Sequence, residues 1–489
     1  MAPNILLILT DQQRFDTIAA LGNPVIKTPH LDRLCRMGTA FTSAFTPSPV
    51  CISARCSLHY GQYPMHTGCF SNDSGSPPVE RETFFAALTR AGYSTHAVGK
   101  LHFKPDIAGL YGLQSRDIQE EFCPIEKDDY IRFIHGKGFE YVCDPHGARG
   151  EMYYVPQISP FPAPLHPTHW AADRAIDFIN GRSGDDGPWF LAASFIHPHP
   201  PFNPPNPWHK LYRAALMPLP KMPPDYESLQ THINRLQNRR KYRGHGIDLD
   251  VIRTIKAYYY ACISFIDQQV GRILDVLEGT GRLEDTLILF TTDHGEHLGD
   301  YGCWGKRSMH DSCARIPLLA CRPGQFPAGA RCDKPVSLID VTATILEAAG
   351  TRIDTHPLDG VSLLDRIAQP PSAVFGQYET GEQALYYAVT DKWKYAYSAA
   401  DGREFLFDRV GDPEETRNRA GIQFLGHVQD EMRALLIDHI TRGGQTDNIR
   451  DGAWRPTPRL EMDPNPDAAL RIVDHGWASK DIPGYTDTD

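Results

Sequence analysis

The residues able to do chemistry in this 489-residue chain gather at a few points, most of them just beyond an apolar run. Asn4-Ile-Leu-Leu-Ile-Leu-Thr10 leads into Asp11-Gln12, and Leu287-Ile-Leu-Phe-Thr-Thr292 leads into Asp293-His294-Gly-Glu-His297. Two carboxylates, an amide oxygen and an imidazole suit one divalent cation, with calcium or magnesium favoured over zinc if oxygen donors dominate. The plain alternative is that Asp11 and Asp293 only cap following helices. Cys51 precedes Arg55 by four residues, and one helical turn puts both side chains on one face. A cysteine at a helix start beside a guanidinium has its thiolate favoured, so Cys51 reads as a nucleophile or a site of modification; a lone cysteine is more commonly a small buried apolar residue. Lys100 and His102 in Gly99-Lys-Leu-His, His199 in His197-Pro-His-Pro200, and Lys306 in Gly305-Lys-Arg add two lysines and two imidazoles. Around one metal, such a set describes a pocket for a tetrahedral oxyanion, with donors aimed at charge on a transferred group.

These groups can meet only if the elements that carry them end at one edge. Near-continuous apolar strands are expected over 5–10, 94–98, 189–195, 287–292 and 317–321, as in strands covered on both faces. Helical spacing appears between them over 31–37, 83–91, 170–179, 251–277 and 339–349. The alternation predicts an α/β fold, a large mixed and mostly parallel sheet flanked by helices, whose ligand crevice lies beyond the carboxyl ends of the strands. This domain is expected to span 1–370. After Pro370-Pro371 come three short strands, 385–390, 393–398 and 404–408, and an amphipathic helix over 424–441, predicting a smaller C-terminal α+β subdomain over 371–445. The polar stretch 446–489 has no clear periodicity and reads as disordered or as an oligomerisation arm on a neighbouring subunit of a homo-oligomer.

Composition sets outer bounds. There are 49 Lys+Arg against 60 Asp+Glu, a net charge of -11, which is the wrong sign for a phosphate-backbone binder; no nucleic acid partner is expected. No run approaches the roughly 18 apolar residues of a membrane span, so no membrane association is expected either. The opening Asn4 to Leu9 lacks the basic flank and cleavage site of a leader and reads as a retained strand. The 11 cysteines include no Cys-x-x-Cys pair, and with no export signal the expected home is the cytoplasm.

Taken together, Pro3-Asn-Ile-Leu-Leu-Ile-Leu-Thr-Asp-Gln12, the segment from Cys51 to Gly61, Val98-Gly-Lys-Leu-His102, Pro198-His-Pro200, Thr292-Asp-His-Gly-Glu-His-Leu-Gly299 and Lys306 resemble the sulfatases of the alkaline phosphatase superfamily. The resemblance runs from Asn4 to roughly Ala420. It implies an alkaline phosphatase-like fold and a sulfuric ester hydrolase acting on a small-molecule sulfate ester, aryl or carbohydrate. It implies one divalent cation, usually Ca2+, with Mg2+ or Mn2+ as alternatives, on Asp11, Gln12, Asp293 and His294. In that family the cysteine matching Cys51 is converted to formylglycine by a maturation enzyme, and its hydrated aldehyde attacks to give a covalent intermediate. By the same carry-over, Arg55 and Lys100 hold the nucleophile and the sulfate, His102 is the base that releases sulfate, and His199 and Lys306 stabilise or protonate the departing oxygen. One departure stands out: the family signal is Cys-x-Pro-x-Arg, or Ala for Pro, whereas this chain has Ser53. An unmodified Cys51 thiolate gives a variant reading. A phosphonate monoester or phosphodiester hydrolase of the same superfamily is the runner-up; those relatives bring hydroxyl side chains to the place of Lys100 and His102. A silent binding protein is suggested by Ser53 alone. Trp170, Trp304, Tyr153 and Tyr154 read either as an aromatic rim for the substrate or as core.

Overall fold

The computed structural model describes residues 2–462, apart from 122, 143, 150–152, 184–185 and 242–247. Its centre is an eight-stranded sheet in the order Ala330–Cys332, Thr39–Phe41, Leu318–Cys321, Thr286–Thr292, Asn4–Thr10, Trp189–Ser194, Ser94–Gly99, Ser115–Ile118. Every pairing is parallel except the two made by Leu318–Cys321, so the sheet is mixed and mostly parallel. The central strand shows why the apolar runs are continuous. Ile5, Leu7 and Leu9 pack on one face with Ala54 and Leu58 of helix Cys51–Tyr60 and with Val341 and Ile345 of helix Ile339–Ala349. Leu6 and Ile8 pack on the other with Trp170 and Ala171 of helix Pro167–Asn180 and with Ile266, Val270 and Ile273 of helix Leu249–Gly279. Successive side chains of a strand alternate faces, so a strand buried on both must be apolar throughout.

Parallel register brings the chemistry together. Thr10 pairs with Thr292, Leu9 with Ser194, and Gly99 with Ser194, so four strands end level and release Asp11, Asp293, Lys100 and the 195–200 loop at one edge.

Beyond this sheet lies a four-stranded antiparallel one, Val374–Tyr378, Leu385–Val389, Trp393–Ser398 and Arg403–Asp408, with helix Gly426–Arg442 on one face. The expected three strands gain a fourth at Val374–Tyr378. Its other face packs Tyr387, Val389, Phe405 and Phe407 against Phe45, Val50, Met309 and Ala314 of the preceding chain. The tail reading needs correction for its first part. Residues 446–462 fold back onto their own subdomain: Trp454 stacks on Tyr397 at 4.2 Å, and Leu460 N–H donates to Ala400 O at 2.8 Å. The remainder, 463–489, lies outside the described residues. Among the described residues no helix is long and apolar enough to cross a membrane.

Candidate active site

Asp11 and Asp293 leave adjacent strand ends and are fully buried, a costly placement unless cations offset it. Arg55 does so directly, its Nε donating to Asp293 Oδ2 at 2.8 Å and its Nη2 to Asp11 Oδ2 at 3.2 Å. Lys100 Nζ adds a second contact to Asp11 Oδ2, at 2.7 Å. Burial raises the Asp11 pKa, as does Asp293, yet Lys100, His199 and Arg55 outweigh them and hold it below the usual carboxylate value. For Asp293, burial is outweighed by His294, Arg55 and Lys306, with the same result. Both groups therefore remain ionised at neutral pH.

His294 completes the corner. Its Nδ1–H donates to Gly295 O at 3.0 Å, which leaves Nε2 as the lone-pair nitrogen, 3.7 Å from Asp293 Oδ1 and 4.0 Å from Asp11 Oδ1. Burial depresses its pKa to about 4, against the pull of Asp293, so the ring is neutral. His294 Nε2 and Asp11 Oδ1 are both buried without a hydrogen-bond partner. One ligand atom each from Asp11, Cys51, Asp293 and His294 lies within 4.8 Å of the other three. A neutral imidazole and an anionic oxygen, both orphaned and facing one point, fit a divalent cation. Gln12 sits beside them with φ +64°; its backbone N–H donates to Asp293 Oδ1 at 3.1 Å, while its Oε1 accepts from Lys306 Nζ at 2.9 Å and its Nε2 donates to Glu296.

Cys51 opens its helix from the non-helical Val50, with the sulfur 2.7 Å from Lys306 Nζ. Burial raises its thiol pKa despite Lys306, so the thiol form is favoured in this surrounding. Ser53, two residues on, donates its hydroxyl to Cys69 O at 2.6 Å inside the protein. Arg55 Nη1 also donates to Lys100 O at 2.5 Å and to Ser194 Oγ at 3.0 Å, so that with Asp11 and Asp293 it ties four strand ends to the helix. Lys100 itself turns out from Gly99, at φ +89°, where an added Cβ would lie 1.9 Å from Ser194 O. Only glycine allows that close approach.

His102 has φ +55° and an unpartnered buried Nδ1, and the backbone N–H groups of Leu101 and His102 both donate to Glu120 Oε1. Burial, reinforced by Lys100, keeps its pKa well below the ordinary value, so it is a neutral base. His199 is buried beside Tyr153, and the charges of Lys306, Lys100 and Asp11 reach it. All ten expected residues thus converge on one buried corner.

The profile of the sulfatase family matches residues 3–351, and that of the N-sulphoglucosamine sulphohydrolase C-terminal region matches 299–442. The chain belongs to the sulfatase family. It is 30% identical to an arylsulfatase of Clostridium perfringens, over 92% of this chain and 97% of that protein. It is 31% identical to the multifunctional alkaline phosphatase superfamily protein PehA of Trinickia caryophylli, over 91% and 96%. The phosphonate monoester hydrolase of Agrobacterium radiobacter superposes with a TM-score of 0.78 at 25% identity, covering 93% of this chain and all of that one.

Within this sulfatase, two acids that the sequence reading passed over join the site. Glu121 contacts Lys100, Arg149 and His199, and Glu296 accepts from Gln12, from Tyr154 OH at 2.9 Å and from the Gly305 N–H at 2.6 Å. Glu296 lies in the quoted strand-end motif and could have been found there; Glu121 follows the polar edge strand Ser115–Ile118, which carries no apolar signal. The aromatic rim takes a different form. Trp170 belongs to the core beneath the sheet, and Tyr153, Tyr154 and Trp304 form a buried cluster with Phe202 and Tyr259 instead of an open lip.

Proposed function

We propose that this sulfatase hydrolyses an aryl or carbohydrate sulfate monoester using one divalent cation, calcium by its oxygen-rich donors, and formylglycine derived from Cys51. The observation that carries the reading is a double demand at one point: orphaned Asp11 Oδ1 and His294 Nε2 call for a cation, while Lys100, Arg55 and Lys306 beside Cys51 call for an anion. A cation on Asp11, Gln12, Asp293 and His294 would polarise a sulfate oxygen, and the aldehyde form of Cys51 would supply a hydrated oxygen nucleophile. The protein's own groups do the rest. Lys306 and Lys100 flank the Cys51 position and stabilise charge on the transferred sulfate. His102, neutral and with a free ring nitrogen, accepts a proton to release sulfate, and His199 delivers one to the departing alcohol. Ser53 is as small as the Ala of the alternative signal, which supports its acceptance by a formylglycine-generating maturation enzyme as partner.

A domain division at 370/371, with 446–462 counted in the C-terminal subdomain, assembly through the last residues, and a cytoplasmic location belong to the same proposal. The unpaired state of the ten described cysteines supports the last of these. Comparing kcat/KM on an aryl sulfate and the matching phosphate diester tests the reading, with sulfate expected to lead by at least about tenfold. The reverse ranking would assign the site to phosphonate or phosphodiester hydrolysis, the second reading, favoured by the likeness to the Agrobacterium enzyme. Mass spectrometry of the Cys51 peptide, after expression with a maturation enzyme, should show the thiol replaced by the aldehyde. A Cys51→Ala variant should fold and bind metal without turnover.

A further inference from the structure

Glu121 is a buried carboxylate for which the reading above has no task. Lys100 Nζ stands between it and Asp11, contacting both carboxylates. Glu121 Oε2 meets Lys100 Nζ, its Oε1 meets Arg149 Nη2, and the same Oε1 lies 3.2 Å from His199 Nδ1, all of these side chains being less than a tenth exposed. His199 Nδ1 has a second acceptor, Pro200 O at 2.8 Å. A ring nitrogen facing a carbonyl and a carboxylate must carry its hydrogen, which assigns the working lone pair or proton to Nε2. Tyr153 crosses the ring at 86° with its hydroxyl 3.4 Å from Nε2, so the imidazole has little freedom to turn.

We propose that Glu121 is a positioning residue for leaving-group protonation: it fixes His199 through Nδ1–H and offsets the charge of the imidazolium whose Nε2–H meets the departing alcohol oxygen. This rests on the assignment of His199 as leaving-group acid. Electrostatics require such a partner. Burial, with Lys306 and Lys100, holds the resting His199 well below its ordinary pKa, and Glu121 is the largest influence acting the other way. Arg149, His199 and Lys100 together outweigh burial to hold Glu121 well below its usual pKa, so it is ionised and available as the counter-charge. In the step itself the attacking group bonds to sulfur and the bond from sulfur to the alcohol oxygen breaks. The electron pair goes to that oxygen, which takes the Nε2 proton and leaves as neutral alcohol. The proton lost by the attacking hydroxyl passes to solvent, and the neutral ring, keeping its Nδ1–H on Glu121, regains one proton at Nε2 from solvent, so that protons balance over the step.

The reactivity of the leaving group separates this role from mere pinning of Lys100 and Arg149. A nitrophenol leaves without a proton, whereas an alkyl or sugar alcohol needs one. Glu121→Gln, which keeps size and an acceptor oxygen but removes the charge, should reduce kcat/KM for 4-nitrophenyl sulfate by no more than about threefold and for an alkyl sulfate by about a hundredfold. His199→Ala should show the same graded loss, and the double variant should be no worse than His199→Ala alone, since residues acting as one unit are not additive. Glu121→Asp, which keeps the charge, should recover part of the alkyl sulfate activity and covers the case in which Glu121→Gln folds poorly. Ring 15N shifts of His199 in the unliganded protein should report an Nδ1–H tautomer that Glu121→Gln weakens. A uniform loss across leaving groups, or additive effects in the double variant, would overturn the proposal while leaving His199 in place. If the wild type prefers phosphodiesters, the sulfate reading fails on its own, and the Glu121 coupling is judged by the same series on those esters.

Discussion

Asp11 Oδ1 and His294 Nε2 face one another at 4.0 Å, both buried and neither with a hydrogen-bond partner. Leaving such groups unpaired costs about 1–3 kcal/mol apiece, more for a charge. The same carboxylates already use their second oxygens on Arg55 and Lys100, so those cations cannot also serve the orphaned pair. Replacing Asp293 by Asn removes one anionic donor and half of the anchor of Arg55, while keeping the shape. The purified Asp293→Asn protein should retain its circular dichroism spectrum but bind metal at least about tenfold more weakly. Its turnover should fall by at least about a thousandfold. Full metal content together with full activity would remove Asp293 from the site. The ten expected residues were readable because most of them follow an apolar strand or open a helix, where a polar side chain has no structural reason to be apolar-packed. Glu121 was not, because Gln119-Glu120-Glu121 has the composition of a solvated stretch. Only the fold reveals that both acid side chains are buried, Glu120 capping the turn that carries His102.

Among the elements, the strand that ends at Gly99 carries the tightest constraint on site geometry. Its neighbour is backbone, so an added methyl at 1.9 Å from Ser194 O cannot be relieved by a rotamer change, and φ +89° disfavours any side chain there. Gly99→Ala should therefore cost about 2–4 kcal/mol in urea unfolding. It should also lower kcat more than a surface change of equal cost, because Lys100 O receives both Arg55 Nη1 and Ser194 Oγ at 2.5 Å. The long buried strands and helices were legible for the same reason that they are rigid: both faces are covered, and the apolar run is continuous. The three-residue strands Thr39–Phe41 and Ala330–Cys332 are too short to show a period. Val374–Tyr378 was hidden by Gly376, which looks like a break in a strand; the ring of Tyr387 lies where its Cβ would be, at 2.0 Å. That glycine lets a large cross-strand aromatic lie flat on the sheet.

At the scale of the whole molecule, the C-terminal sheet is part of the scaffold of the site. Tyr387 OH donates to Thr46 O at 2.6 Å and Gln377 N–H to Pro47 O at 2.9 Å, bracing the turn that delivers Cys51. Lys394, fully buried on that sheet, donates to Met309 O at 2.9 Å in the loop that follows Lys306, and forms ion pairs with Asp311 and Glu415. Asp311 is supported further by Arg315, and its backbone N–H donates to Glu415 Oε2 at 2.7 Å, so one lysine ties two segments of chain into a closed cluster. A paired buried charge contributes little net stability, but removing one partner strands the others, at a cost of about 3–5 kcal/mol. Lys394→Met leaves two carboxylates within one apolar interface with Arg315 and Arg409 as the remaining nearby cations. This predicts a loss of stability in that range and a further fall in turnover as the Lys306 loop loses its anchor. Lys394→Met combined with Asp311→Asn and Glu415→Gln should regain most of the stability, because no charge is then left unpaired. Chemical denaturation followed by both tryptophan fluorescence and residual sulfatase activity measures the two effects together. If the single variant unfolds at the wild-type midpoint, the sheet is only an appendage. If activity and structure are lost in one transition at a lower midpoint, the two sheets stand as one cooperative unit around the site.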